Sequence, residues 1–150
     1  MKKSCKSFLD FEFFKRRCEH WKREFNLLDW KTFYEFKELD EAYANVRWDL
    51  SGRTAVISLN SSNDEFQDRA TFVELLRNID MSAFHECLHL LYSWYYSILK
   101  DINEKHCATM DHQIIRVMEN SVFDAMINSE PISPYEQEIQ SRNFGMKKKK

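Results

Sequence analysis

The sequence predicts an α+β architecture: an N-terminal helix, a small three-stranded antiparallel sheet, a buried central helix and one further helix bearing functional side chains. Three observations predict it. Apolar residues near the N-terminus recur at three- and four-residue spacing, three short segments between residues 30 and 59 alternate apolar with polar, and residues 83–99 are apolar at almost every position. With 43% hydrophobic and 15% aromatic residues, and only two glycines and two prolines in 150, the composition is that of a packed chain and excludes a disordered or repetitive one.

Phe11, Phe14, Cys18, Trp21, Phe25 and Leu28 define the apolar face of a helix over residues 8–26. Strands are expected over 30–37, 42–49 and 53–59. The last two are joined through Leu50-Ser51-Gly52, whose glycine suits a tight hairpin. Asn63-Asp64 can cap a helix over 65–78 with Phe66, Ala70, Val73, Leu76 and Ile79 near one face. The next helix begins near Ser82, and its unbroken apolar run marks an element surrounded by others. A polar loop is expected over 100–109. The helix over 111–128 follows, with Ile115, Met118, Val122 and Ala125 or Met126 facing the core, until Pro131 and Pro134 end regular structure. These elements make one domain over 1–135, followed by a flexible or weakly helical tail over 136–150.

Lys plus Arg number 22 against 24 Asp plus Glu, so no net field gathers nucleic acid, and no nucleic-acid partner is expected. The lysines at 147–150 read as a solvated terminus. Charges at Asp10, Glu12, Lys15, Arg16 and Arg17 interrupt any signal-peptide core, and the longest apolar run is too short to span a bilayer, which points to a cytoplasmic protein without membrane contact. Cys5, Cys18, Cys87 and Cys107 form no CxxC pair and read as reduced thiols.

His85-Glu86-Cys87-Leu88-His89 is an HExxH pattern. Residues i and i+4 share a helix face, so both imidazoles can reach one zinc ion about 2 Å away, and Glu86 can act as base toward a water on that ion. Chance produces the pattern on the order of 0.01 times in a chain of this composition. Its setting adds weight, because three ionisable groups inside the most apolar segment would cost several kcal/mol if unpaired. Residues 92 and 95 are tyrosines, so the extended HExxHxxGxxH form is absent and a third ligand must come from elsewhere. His112 on the following helix is the preferred candidate and Glu119, on the same face, the alternative; the losing group, or Asp111, can orient a ligand histidine. His106 and Cys107 are weaker candidates, being placed on the expected loop. Tyr92 and Tyr96 follow the histidines on one face; they read first as core tyrosines with satisfied hydroxyls and second as donors to an oxyanion.

Taken together, HECLHLLYSWYY, HQIIRVMENSVF, the Leu28-Asp29-Trp30 turn and the strand RTAVISL resemble small single-domain zincin-like proteins, of gluzincin type, from phages and bacteria. The resemblance covers roughly residues 8–128. It implies a zinc metallopeptidase fold in which an edge strand runs beside the cleft, so that an extended peptide can add to it, and it implies His112 as the residue matching the third-ligand region. The chain departs from the pattern where Asp111-His112-Gln113 replaces an acidic opening. Two functions follow as expectations: cleavage of a peptide or protein substrate with Glu86 as general base, or zinc-stabilised binding of a host protein by a non-catalytic, phage-encoded inhibitor or accessory factor.

Overall fold

Ser7 caps the first helix, α1 (Phe8–Glu24), through a reciprocal capping box: Asp10 N donates to Ser7 Oγ at 3.2 Å and Ser7 N donates to Asp10 Oδ2 at 2.7 Å. The structure, a computed structural model, describes residues 7–62 and 72–147, without the side chains of 102–108, 146 and 147. The expected cap at Asn63-Asp64, Phe66 and Ala70, the thiols of Cys5 and Cys107, the imidazole of His106 and the terminal lysines lie outside the described residues. Asn26, with φ of 54°, ends α1. Leu27 N bonds Lys22 O at 2.8 Å and Asn26 N bonds Arg23 O at 3.1 Å, the paired bonds of a left-handed helix stop. That stop turns Leu27 inward and leaves Leu28 exposed, so the last residue of the expected apolar face is corrected.

Three strands follow, β1 (Lys31–Lys37), β2 (Ala44–Asp49) and β3 (Thr54–Asn60), in the order β1-β3-β2. The sheet is mixed, which corrects the all-antiparallel expectation: β3 pairs antiparallel with β2 but parallel with β1. Alternation along a strand is the same in either pairing, so the pattern carries no direction. What carries it is Asn60. Lys37 and Ala44 both lie at the C-terminal end of β3, and the connection between them crosses that end. Asn60 Nδ2 donates to Leu39 O and Ala42 O, each at 2.8 Å, while Asn60 Oδ1 accepts from Leu39 N and Ser62 N. Asn60→Ala is expected to cost roughly 2–4 kcal/mol, because it orphans several backbone groups together; urea unfolding measures it.

The β2–β3 turn also differs from expectation in detail. Its left-handed residue is Arg53, with φ of 46°, and Gly52 has no positive φ. Asp49 instead explains the glycine: its carboxylate accepts from Ser51 N at 3.1 Å and Gly52 N at 3.3 Å, and a Cβ at position 52 would stand 3.1 Å from Asp49 Oδ2.

From Phe72 to Met118 the backbone is helical without interruption (α2), so neither the break expected before Ser82 nor the loop over 100–109 is present as such. At the expected break, Asp80 bonds to side chains of other elements and Ser82 Oγ donates to Asn78 O at 2.9 Å, so neither side chain interrupts the helix. The run nevertheless doubles back. Twenty-three residues of straight helix would separate His89 from His112 by roughly 35 Å, whereas their ligand atoms lie within 4.8 Å.

A π-helical turn (Glu119–Phe123) continues the chain into α3 (Asp124–Ser129). Its extra residue shifts the apolar face, so Phe123 is fully buried while Met126 and Ile127 pack against the core. Helix α4 (Pro134–Lys147) occupies most of the stretch expected as a tail. Arg142 on α4 bonds Asp10 and Glu138, each at 2.8 Å.

The core is aromatic. Trp21 meets Phe84 edge-on at 4.9 Å, and Phe84 meets Phe123 at 5.2 Å. Inside it sits a buried carboxylate, Asp80, which accepts from Arg17 Nε at 2.8 Å, Trp21 Nε1 at 2.7 Å and Tyr135 Oη at 3.0 Å. One side chain thereby ties α2 to α1 and α4. Cys18 and Cys87 are both buried free thiols. Among the described residues no helix is long and apolar enough to cross a membrane.

Candidate metal centre

The helical repeat places His85 and His89 one turn apart on α2, and their rings converge: the two Nε2 atoms lie 3.1 Å apart and the ring centroids 4.9 Å. The returning stretch of α2 brings in His112, whose ring lies 5.2 Å from that of His89 and 6.1 Å from that of His85. One ligand atom from each of the three lies within 4.8 Å of the others, so the cluster can hold a metal ion.

The opposite nitrogens of the first two rings face carboxylates. Glu119 Oε1 lies 2.6 Å from His85 Nδ1. Asp111 Oδ2 lies 2.8 Å from His89 Nδ1, which is buried and lacks an aligned hydrogen bond. In a neutral ring a carboxylate beside Nδ1 favours the proton there and turns Nε2 toward the cluster as a lone pair. Two lone pairs 3.1 Å apart repel unless a cation or a proton lies between them. Tetrahedral coordination with metal–nitrogen bonds of 2.0–2.1 Å sets neighbouring nitrogens about 3.3 Å apart, close to this spacing. The residues present therefore fit a metal ion.

Glu86 stands beside the cluster, 5% exposed. Burial pushes its carboxyl up to about 7, the charge of His85 opposes this and Glu119 adds to it. For His85, burial disfavours the charged ring, yet the Glu119 hydrogen bond and the charges of Glu86, Glu119 and Asp111 together raise it above the ordinary range.

Both shifts make the metal-free folded chain hold more protons than the unfolded chain. For Glu86 the difference opens as pH rises past about 4.5 and is complete above about 7. His85 adds stability that is fully present below 6.5 and lost as pH rises through its higher folded value. Stability of the metal-free protein is therefore expected to fall from pH 5 to pH 8, by on the order of 3 kcal/mol from Glu86. Glu86→Gln should remove most of that slope in urea titrations across this range.

Two cavities flank the cluster and share Ala44, His85 and Glu86. One, of about 370 Å³, is also lined by Tyr43, Asn78, Met81, Ser82 and Glu119. The other, of about 420 Å³, runs along β2 past Asn45, Val46 and Trp48 to Tyr96, Asp111 and His112. Trp48 lies nearly parallel to the His89 ring, at 6.3 Å and 21°, and meets Tyr96 edge-on at 6.1 Å.

Of the residues singled out from sequence, the fold thus gathers His85, His89 and His112 around one point and sets Glu86 in the lining of both adjoining cavities. It sets Glu119 against the far nitrogen of His85 and lines the groove with Tyr96. Tyr92 is placed otherwise and packs against the core. Ala44, Asn45 and Trp48 are not legible in the sequence as groove residues, since a strand's sequence does not say which helix it will lie beside. The aromatic at 48 is the one available signal.

Comparisons with protein families, with characterised proteins and with solved structures find no match to this chain. The zincin-like reading therefore rests on the residues themselves.

Proposed function

We propose that this chain is a zincin-like, zinc-dependent peptidase whose metal is held by His85, His89 and His112. The observation that carries the reading is the 3.1 Å approach of two Nε2 atoms whose opposite nitrogens face Glu119 and Asp111, with a third imidazole alongside. An all-imidazole donor set with no thiolate suits zinc in a hydrolytic site. Zinc, when bound, supplies Lewis acidity toward a carbonyl oxygen and lowers the pKa of a water.

The chain's own groups do the rest. Glu86, buried in the wall of the cavity that the three histidines line, takes the proton of the attacking water at a carboxylate oxygen and hands it to the leaving amine nitrogen. Glu119 and Asp111 orient the rings of His85 and His89. β2 is an edge strand among the described residues, and its residues line the groove, so its outer backbone edge suits an extended peptide. Trp48 and Tyr96 offer an aromatic wall to an apolar side chain, and the Tyr96 hydroxyl is the better placed of the two tyrosines to donate to an oxyanion.

The competing reading, a non-catalytic zinc-stabilised binding protein, needs a closed site with Glu119 as fourth ligand. Bonding of Glu119 to the far nitrogen of His85 favours three ligands and an open position.

Elemental analysis of protein purified without added metal is expected to find zinc near one equivalent per chain. His112→Ala should lose it, and Glu119→Ala should bind it about 10–100-fold more weakly. Zinc at background level in the wild type, or retained undiminished by His112→Ala, would sink the assignment.

A further inference from the structure

Beyond the metal centre, α2 carries an apolar stripe that the other described residues leave open. Leu91, Trp94, Tyr95 and Ile98 follow one another at i, i+3, i+4 and i+7, the spacing of a helix-packing face, yet they are 38%, 70%, 49% and 48% exposed. Three of them border a groove of about 560 Å³ whose floor is Leu27, Trp30, Leu50 and Leu90. Ridge and groove therefore lie side by side on one surface. The polar residues at the groove include one charge of each sign, Arg53 and Asp101.

We propose that this face is the interface of a two-fold symmetric homodimer, in which Trp94 of each copy fills the groove of the other. A two-fold interface uses the same patch twice, so it requires a projection and a matching recess on one surface. The stripe supplies the first and the groove the second. The four stripe side chains expose on the order of 450 Å² of apolar surface, and with the groove walls the patch approaches the roughly 600 Å² per partner at the lower end of specific interfaces.

Charge agrees as well. Arg53 and Asp101 both line the groove, so in a two-fold pair each can face its opposite charge on the mate. Although Arg53 is bonded to Asp29 within its own chain, a guanidinium has donors left for a second carboxylate. A foreign protein would need neither the juxtaposed recess nor the balanced pair of charges. The face lies away from the metal-binding histidines, so this inference stands whether or not zinc is bound.

Sedimentation equilibrium of the full chain over micromolar concentrations tests it. The expected species has twice the 18.2 kDa chain mass. Trp94→Glu, which alters an exposed side chain, should raise the dimer dissociation constant about 30-fold or more while leaving helix content by circular dichroism unchanged. Asp101→Arg should raise it about 3–10-fold by setting like charges together, and adding Arg53→Asp should restore it. A monomeric wild type, the result expected if the face serves another protein, overturns the proposal. So does a folded Trp94→Glu variant that dimerises as tightly as wild type, or charge reversals that leave the constant unchanged.

Discussion

Glu86→Gln is expected to leave one zinc ion per chain in place and to lower peptide hydrolysis about 10²–10⁴-fold. Glutamine keeps the shape and volume of the side chain, so the three imidazoles and the carboxylates behind them are undisturbed. What it removes is the site that accepts and returns a proton. In the metal-free chain burial lifts the carboxyl to about 7, so the group both loses and regains a proton near neutrality. Cleavage of a quenched fluorescent peptide library, with zinc measured on the same samples, provides the readout. Equal turnover by a zinc-loaded Glu86→Gln protein would remove Glu86 from the mechanism, and no turnover by either protein would favour the binding-protein reading.

Asp80→Ala is the substitution expected to damage the fold most, by about 3–5 kcal/mol in urea unfolding. The carboxylate is fully buried, and its loss leaves the indole N–H of Trp21 and the hydroxyl of Tyr135 without their acceptor inside an aromatic core. Among the described residues Arg17 keeps the Glu130 carboxylate, 2.7 Å away, and its place over the Trp21 ring. Asp80→Asn retains an acceptor oxygen and should cost less, so the difference between the two variants separates charge from hydrogen bonding. A loss below about 1 kcal/mol for alanine would show that water replaces the carboxylate.

The paired histidines were legible because helical spacing is written into the chain: residues four apart meet wherever the helix forms. The choice between His112 and Glu119 was not. Both lie on one face of the returning stretch, and only the way that stretch lies against His85 sets one ring beside the cluster and the other group behind it. Trp48 and Asn45 were invisible for a related reason, since they reach the groove through a sheet edge remote in sequence.

Local periodicity accounts for α1, for the three strands and for the buried stretch of α2, because each depends on neighbours within a few residues. Strand direction, the uninterrupted helix through Asp80, the shift of face at Glu119–Phe123 and the third imidazole depend on partners distant along the chain. Asn60 illustrates the division. As a sequence letter it is one more turn-forming residue after a strand, whereas in the folded chain its amide holds the crossing that makes β1 parallel to β3. A side chain's type limits the bonds it can make, but which of them it makes is settled by what packing brings within reach.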